Sequence, residues 1–220
     1  MSQHHLKLSN LSFGYKKTLT KEINLSIHEN EFITIMGENG CGKTTLIDCL
    51  MGLHKPYSGS ITFWGEVYED SSIKNINQKV GWVISQKENY PLHLNVEQYL
   101  KIVSQTYKHW NWTLNEKLCH SFELDKKKRL SHLSMGENSK VRLVRALSFK
   151  PALIILDELT ANLSPKSKDS LTKELIRLFS SEKMSILYIC HSNEEALRLS
   201  DRISWFCKIQ ESRFYRKIYR

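Results

Sequence analysis

Nowhere does this sequence run for the ~20 consecutive apolar residues that a membrane span needs, so an intrinsic membrane subunit is not indicated. Its opening, MSQHHLKLSN, lacks the apolar stretch of a secretory signal, and the expected compartment is the cytosol. Cysteine is sparse: Cys41, Cys49, Cys119, Cys190 and Cys207 are odd in number and contain no CxxC pair. Neither a disulfide framework nor a zinc ribbon fits that pattern. Internal repeats, low-complexity tracts and Gly/Ser linkers are also missing. With 40% hydrophobic and 25% charged residues, the composition is that of a folded chain. At 220 residues a sizeable core is available, and one domain with an inserted subdomain is the expectation.

Acidic residues fall short of basic ones: 32 Lys+Arg against 23 Asp+Glu leave +9 at pH 7. The excess is local. Lys126-Lys127-Lys128-Arg129 supplies four positives, and Lys208–Arg220 supplies five against Glu211, so these segments hold +8 of the +9. Such charge suits nucleic acid, an anionic membrane surface or an acidic partner, and equally a solvated loop and tail.

Short β-like runs fill the first third: LKLSNLSF from Leu6, INLSI from Ile23 and EFITIM from Glu31. Ile23, Leu25 and Ile27 alternate strictly, as a half-buried strand should, whereas Leu6, Leu8 and Leu11 alternate imperfectly. A Gly-rich turn and an apolar helical segment, Thr45 to Leu53, come next, then strands at Gly59–Trp64 and Gly81–Ser85. Residues 86–150 read as mainly helical, with Val96, Leu100 and Val103, and then Leu114, Leu118 and Phe122, at helical spacing. The last third alternates: strand ALIILDE, a helix from Pro165 to Phe179, strand SILYIC, a short helix and strand ISWFC. Strand–helix alternation predicts an α/β fold with a mainly parallel sheet covered on both faces.

The sharpest signal is Gly37-Glu38-Asn39-Gly40-Cys41-Gly42-Lys43-Thr44, a full match to G-x-x-x-x-G-K-[ST] placed after a strand and before a helix. Glycines let backbone N–H groups turn inward around phosphate oxygens, and the following helix adds its dipole and unpaired amides. Lys43 is suited to the β- and γ-phosphates and the Thr44 hydroxyl to Mg²⁺. A second element agrees. Leu153-Ile154-Ile155-Leu156-Asp157-Glu158 is an apolar strand closed by two acids, which burial alone disfavours. Asp157 suits the magnesium shell, and Glu158 can polarise a water for attack on the γ-phosphate. His4-His5 and Cys119-His120 lack a second pair at zinc spacing, so magnesium is the only metal expected.

With these motifs in order, the chain resembles the ATP-binding cassette family from about Leu6 to Ile203. Leu133-Ser134-Met135-Gly136-Glu137 is similar to that family's LSGGQ signature, with Met135 in place of a glycine and Glu137 in place of glutamine. It opens a helix, Glu137 to Phe149, and its Ser and Gly form a second anion site for ATP held by an opposing subunit. By the same resemblance Gln86 contacts the metal and the lytic water, His191 contacts the γ-phosphate, and Tyr15 stacks on adenine. The ATP-binding set is then Tyr15, Gly37, Glu38, Asn39, Gly40, Cys41, Gly42, Lys43, Thr44 and Thr45. The catalytic set is Glu158, His191, Gln86 and Lys43, and the metal set is Thr44, Gln86 and Asp157. Two departures stand out: Ser164 replaces the usual Asp of the coupling loop Ala161–Ser164, and Leu159 replaces a proline. Ser164 can hydrogen-bond but carries no charge.

The resemblance implies a P-loop NTPase fold with a mainly parallel core sheet, an N-terminal antiparallel β subdomain and an inserted α-helical subdomain. Residues 1–86 and 151–220 would form the nucleotide-binding core, and 87–150 the helical part with the signature. Two cassettes, identical or different, would sandwich ATP, hydrolyse it, and drive a separate transmembrane permease from the cytoplasmic face of the cell membrane. Tyr107–Trp112 and Phe122–Asp125 are similar to drug- and lantibiotic-type exporter ATPases. Two alternatives remain: a soluble cassette acting on nucleic acid or ribosomes, which 220 residues disfavour, and a regulatory, partly degenerate cassette of a heterodimer. The two basic segments are then peripheral surfaces, near anionic lipid headgroups or the permease.

Overall fold

The computed structural model describes residues 4–15, 20–69, 71–84, 91–160, 163–181 and 183–206. Gln86, Ala161, Asn162 and the basic tail therefore lie outside the described residues. The chain falls into two compact units, Met1–Asn77 with Lys183–Arg220, and Gln78–Glu182. Compactness thus groups the strand closed by Asp157 with the helices, whereas the motif-based division cuts the chain near 86 and 150.

The first unit contains an antiparallel sheet in the order β2-β1-β4-β5, with β1 His4–Phe13, β2 Thr20–His28, β4 Ser58–Phe63 and β5 Glu66–Val67. The uneven alternation of β1 has a structural cause. Its pairing with β2 shifts register between Leu8 and Leu11, where Asn10 takes φ 47°. This bulge returns Leu11 to the inner face, and Leu6, Leu8 and Leu11 are all buried. Asn10 and Asn24 hold it through paired 2.9 Å bonds, one from the Asn10 amide and one from Asn24 Nδ2.

The same unit holds a parallel ladder with β3 (Phe32–Gly37) between β8 (Ser185–Ile189) and β9 (Arg202–Phe206). Every residue of β3 and β8 is buried, as expected of strands covered on both faces. Helix α1 (Lys43–Leu50) leaves the end of β3 through the glycine loop, and α7 (Asn193–Leu199) follows β8. A single-turn helix, α2 (Ile73–Asn77), closes the unit.

In the second unit β6 (Val80–Ile84) runs parallel to β7 (Leu153–Asp157), pairing Ile84 with Asp157. Helices α3 (Val96–Ser104), α4 (Trp112–Ser121), α5 (Met135–Leu147) and α6 (Pro165–Ser181) complete it. Asn95 and Asn111 cap α3 and α4, accepting bonds from the amides of Gln98 (2.8 Å) and Leu114 (2.9 Å). The aromatic stretch 107–112 packs on its own unit: Tyr107 stacks on Phe149 at 4.0 Å, and Trp110 meets Trp112 edge-on at 5.8 Å. Among the described residues no helix is long and apolar enough to cross a membrane.

Candidate functional site

The glycine loop is shaped by backbone that side chains cannot follow. Gly40 takes φ 75°, and Gly42, at φ 107°, is the left-handed residue from which α1 starts. A Cβ on Gly37 would collide with the Phe206 carbonyl oxygen and lie 2.8 Å from Cys41 Sγ, so the loop passes tightly beneath the end of β9. Helix α1 begins with no side-chain cap and no acid in its first turn, whereas α3, α4, α5 and α7 each begin with a capping Asn or Ser. Its N-terminus thus lacks the side-chain acceptor that caps those helices.

Lys43 is buried, and its Nζ donates to the carbonyls of Gly37 (2.7 Å) and Glu38 (2.9 Å). Thr44 is exposed, as are Glu38, Asn39 and Gly40, while Thr45 and Cys41 are buried. The Cys41 side chain is turned inward, with Lys43 Nζ 3.8 Å from its Sγ. Tyr15 is fixed at both ends: its hydroxyl donates to Asp48 of α1, and its carbonyl accepts from Tyr57 Oη at 3.0 Å. One side rests on His54 (4.8 Å between centroids), yet the residue stays 60% exposed, which leaves ring surface for stacking. His191 is exposed just beyond β8. Because Ile35 pairs with Ile189, His191 emerges on the same sheet edge as Gly37. The C-terminal edge of a parallel sheet is where ligands of α/β folds bind.

In the second unit Asp157 is buried at the end of β7. Glu158 is half-buried and takes φ 47°, a left-handed conformation rare for glutamate that turns the chain away from the strand. The signature segment opens α5. Ser134 Oγ accepts from the Glu137 amide (3.2 Å), and Glu137 Oε2 accepts from the Ser134 amide (2.8 Å), a reciprocal cap. Glu137 is also gripped by Lys128 Nζ at 2.8 and 2.9 Å. That ammonium, and then the Ser134 amide, hold its carboxyl down at about 2. Met135 is 58% exposed. A Cβ on Gly136 would meet nothing nearer than Ser167 Oγ at 3.5 Å, so packing does not demand glycine there.

The Ser164 departure also finds a role. Its Oγ accepts from the Ser167 amide (3.3 Å) and bonds Ser167 Oγ (3.0 Å), capping α6 ahead of Pro165. The residues that the sequence reading missed are Lys128, Asp48 and His54. Each acts on a motif through tertiary placement, and Lys128 was visible only as one charge in a run. That run is not an uncompensated patch, because Lys126 pairs with Glu116 at 2.7 Å and Lys128 with Glu137.

Comparison with known proteins identifies the family. Residues 20–161 match the family model described as ABC transporter. The chain is 33% identical over 209 residues to the choline transport ATP-binding protein OpuBA of Bacillus subtilis (strain 168), covering 90% of this chain and 54% of that protein. It is 34% identical over 209 residues to the spermidine/putrescine import ATP-binding protein PotA of Spiroplasma citri, covering 92% and 59%. It thus spans little more than half the length of these curated relatives. Among solved structures, the ATP-binding cassette MJ0796, in a dimeric post-hydrolysis state bound to ADP and Pi, superposes with a TM-score of 0.82 at 25% identity. That match covers 96% of this chain and 98% of the other. With the P-loop fold, the glycine loop and the acid-tipped strand in place, the chain belongs to the ABC transporter family of ATP-binding cassettes.

Proposed function

We propose that this chain is the ATP-binding and hydrolysing cassette of a membrane transporter, dimerising on ATP to drive a separate permease. The observation that carries the reading is the loop of Gly37–Thr44: buried Lys43, exposed Thr44 and an uncapped α1 together make a receptor for a polyphosphate. Adenine would stack on the exposed ring of Tyr15. Magnesium suits the hard oxygen donors Thr44 and Asp157. Among the described residues no group of three or more His, Cys, Asp or Glu is placed to hold a metal ion. When bound, the ion neutralises charge that develops on the leaving phosphates.

Glu158 accepts a proton from the attacking water as its oxygen closes on the γ-phosphorus and the bond to ADP breaks. Lys43 and His191 stabilise the charge on the transferring group. Gln86, by resemblance, orients the water. Across a cassette dimer, Ser134 and Gly136 present the N-terminus of α5 to the opposing nucleotide. The relatives named above are a choline transport and a spermidine/putrescine import ATP-binding protein, which supports transport as the output. The exporter resemblance rests on Tyr107–Trp112 and Phe122–Asp125, whereas PotA of Spiroplasma citri is a spermidine/putrescine import ATP-binding protein, so transport is proposed without an assigned direction.

Glu158→Gln tests the reading. Turnover should fall by about 10²-fold or more while ATP still binds, and a closed dimer should accumulate on size-exclusion chromatography with ATP. Wild-type turnover in that variant removes Glu158 as the base, and failure of the wild-type chain to bind ATP removes the function.

A further inference from the structure

Glu137 is anomalous for a segment meant to receive an anion. It places a full negative charge at the third residue of α5, beside the Ser134 hydroxyl and the Gly136 amide. A carboxylate there suits the helix dipole but repels a phosphate brought to the same terminus. The structure shows how that charge is offset. Lys128 reaches Glu137 with two bonds, to Oε1 and Oε2 at 2.8 and 2.9 Å, with both side chains about a third exposed.

Lys128 does not reach by chance. Its carbonyl accepts from the Val96 amide at 3.1 Å, its amide donates to the Asp125 carbonyl at 3.2 Å, and the next residue, Arg129, bridges to Asn95. Two residues earlier, Lys126 is tied to Glu116 of α4 and, through its carbonyl, to the Glu97 amide at 3.0 Å. The segment is pinned to the start of α3 and to α4, and it delivers one ammonium to the signature.

We propose that Lys128 is a positioning residue that neutralises the Glu137 carboxylate, so that the N-terminus of α5 can receive the terminal phosphate of ATP bound to an opposing cassette. This rests on the transport-cassette reading above, and it adds a residue outside the signature that the Glu137 variant of that signature requires. Ser134 supplies the hydroxyl, Gly136 the open approach, and Lys128 the charge that glutamine would not have needed.

The test is a double-mutant cycle in a Glu158→Gln background, reading the ATP concentration for half-maximal dimerisation and, separately, ATP binding to the single cassette. Lys128→Gln should raise the ATP needed for dimerisation about tenfold and leave single-cassette binding within about twofold. Lys128→Arg should retain most of the wild-type response, since it keeps the charge. In a Glu137→Gln background the same Lys128→Gln change should matter less than about twofold. Raising salt should shrink the Lys128→Gln deficit, which the loss of a packing contact would not do. An unshifted Lys128→Gln, or a tenfold loss that persists with Glu137→Gln, overturns the proposal while leaving the cassette reading intact. If Glu158→Gln alone fails to dimerise with ATP, the reading beneath it falls, and this proposal falls with it.

Discussion

At Gly37 a single missing methyl group lets the phosphate loop pass under the Phe206 carbonyl. Gly37→Ala would drive a Cβ into that backbone oxygen, and neither partner is the flexible end of a side chain. The expected cost is about 1–3 kcal/mol, a fall in Tm of roughly 2–4 °C for each kcal/mol, with weakened ATP binding; calorimetry showing wild-type stability would refute the close approach. The glycines, Lys43 and Thr44 were legible in the sequence because the loop's chemistry is contiguous and its order is dictated by phosphate geometry. Lys128 was not, because an ion pair nine positions from Glu137 is set by where the 126–129 segment is pinned. Asp48 was equally silent, since only folding brings its carboxylate to the Tyr15 hydroxyl.

Among the elements, α5 separates stability from function most cleanly. Gly136 lies in its first turn, where the fold has room for a Cβ, and alanine is the better helix former by up to about 1 kcal/mol. Gly136→Ala should therefore hold or slightly raise Tm while weakening ATP-dependent dimerisation, because the methyl group would stand where an opposing phosphate approaches. Unimpaired dimerisation would show that the glycine is incidental. Strands and helices with a run of periodic apolar residues were legible, and α3, α4 and α6 start within a residue or two of their patterned segments. The pieces that escaped are β5, with two residues, and α2, with five. Neither is long enough for a pattern to recur, so no periodicity could reveal it. The β1 bulge was visible only as broken alternation, because its cause is the register with β2.

For the whole molecule, the partner is the decisive question. The described residues carry no helix able to cross a membrane, while the family and the named relatives belong to transport systems. Purified from its native membranes, the chain should bring with it a polypeptide bearing several apolar spans of ~20 residues. Recovery only from the soluble fraction, without such a partner, would favour a non-transport cassette. The α/β class and the mainly parallel sheet were readable from strand–helix alternation, whereas the antiparallel N-terminal sheet was implied only by the family resemblance. Compactness groups β6, β7 and α6 with the helices, a division that depends on long-range packing which periodicity does not encode.

Lys43 already bridges the carbonyls of Gly37 and Glu38. The loop is thus held in its curved form by its own ammonium, and its ordering entropy is lost during folding, ahead of any encounter with ATP. Association need not wait for the loop to organise, and less of the binding free energy is consumed in shaping the receptor. On the proposed reading the exchange on binding is local, since one ammonium would give up its two carbonyl partners for phosphate oxygens.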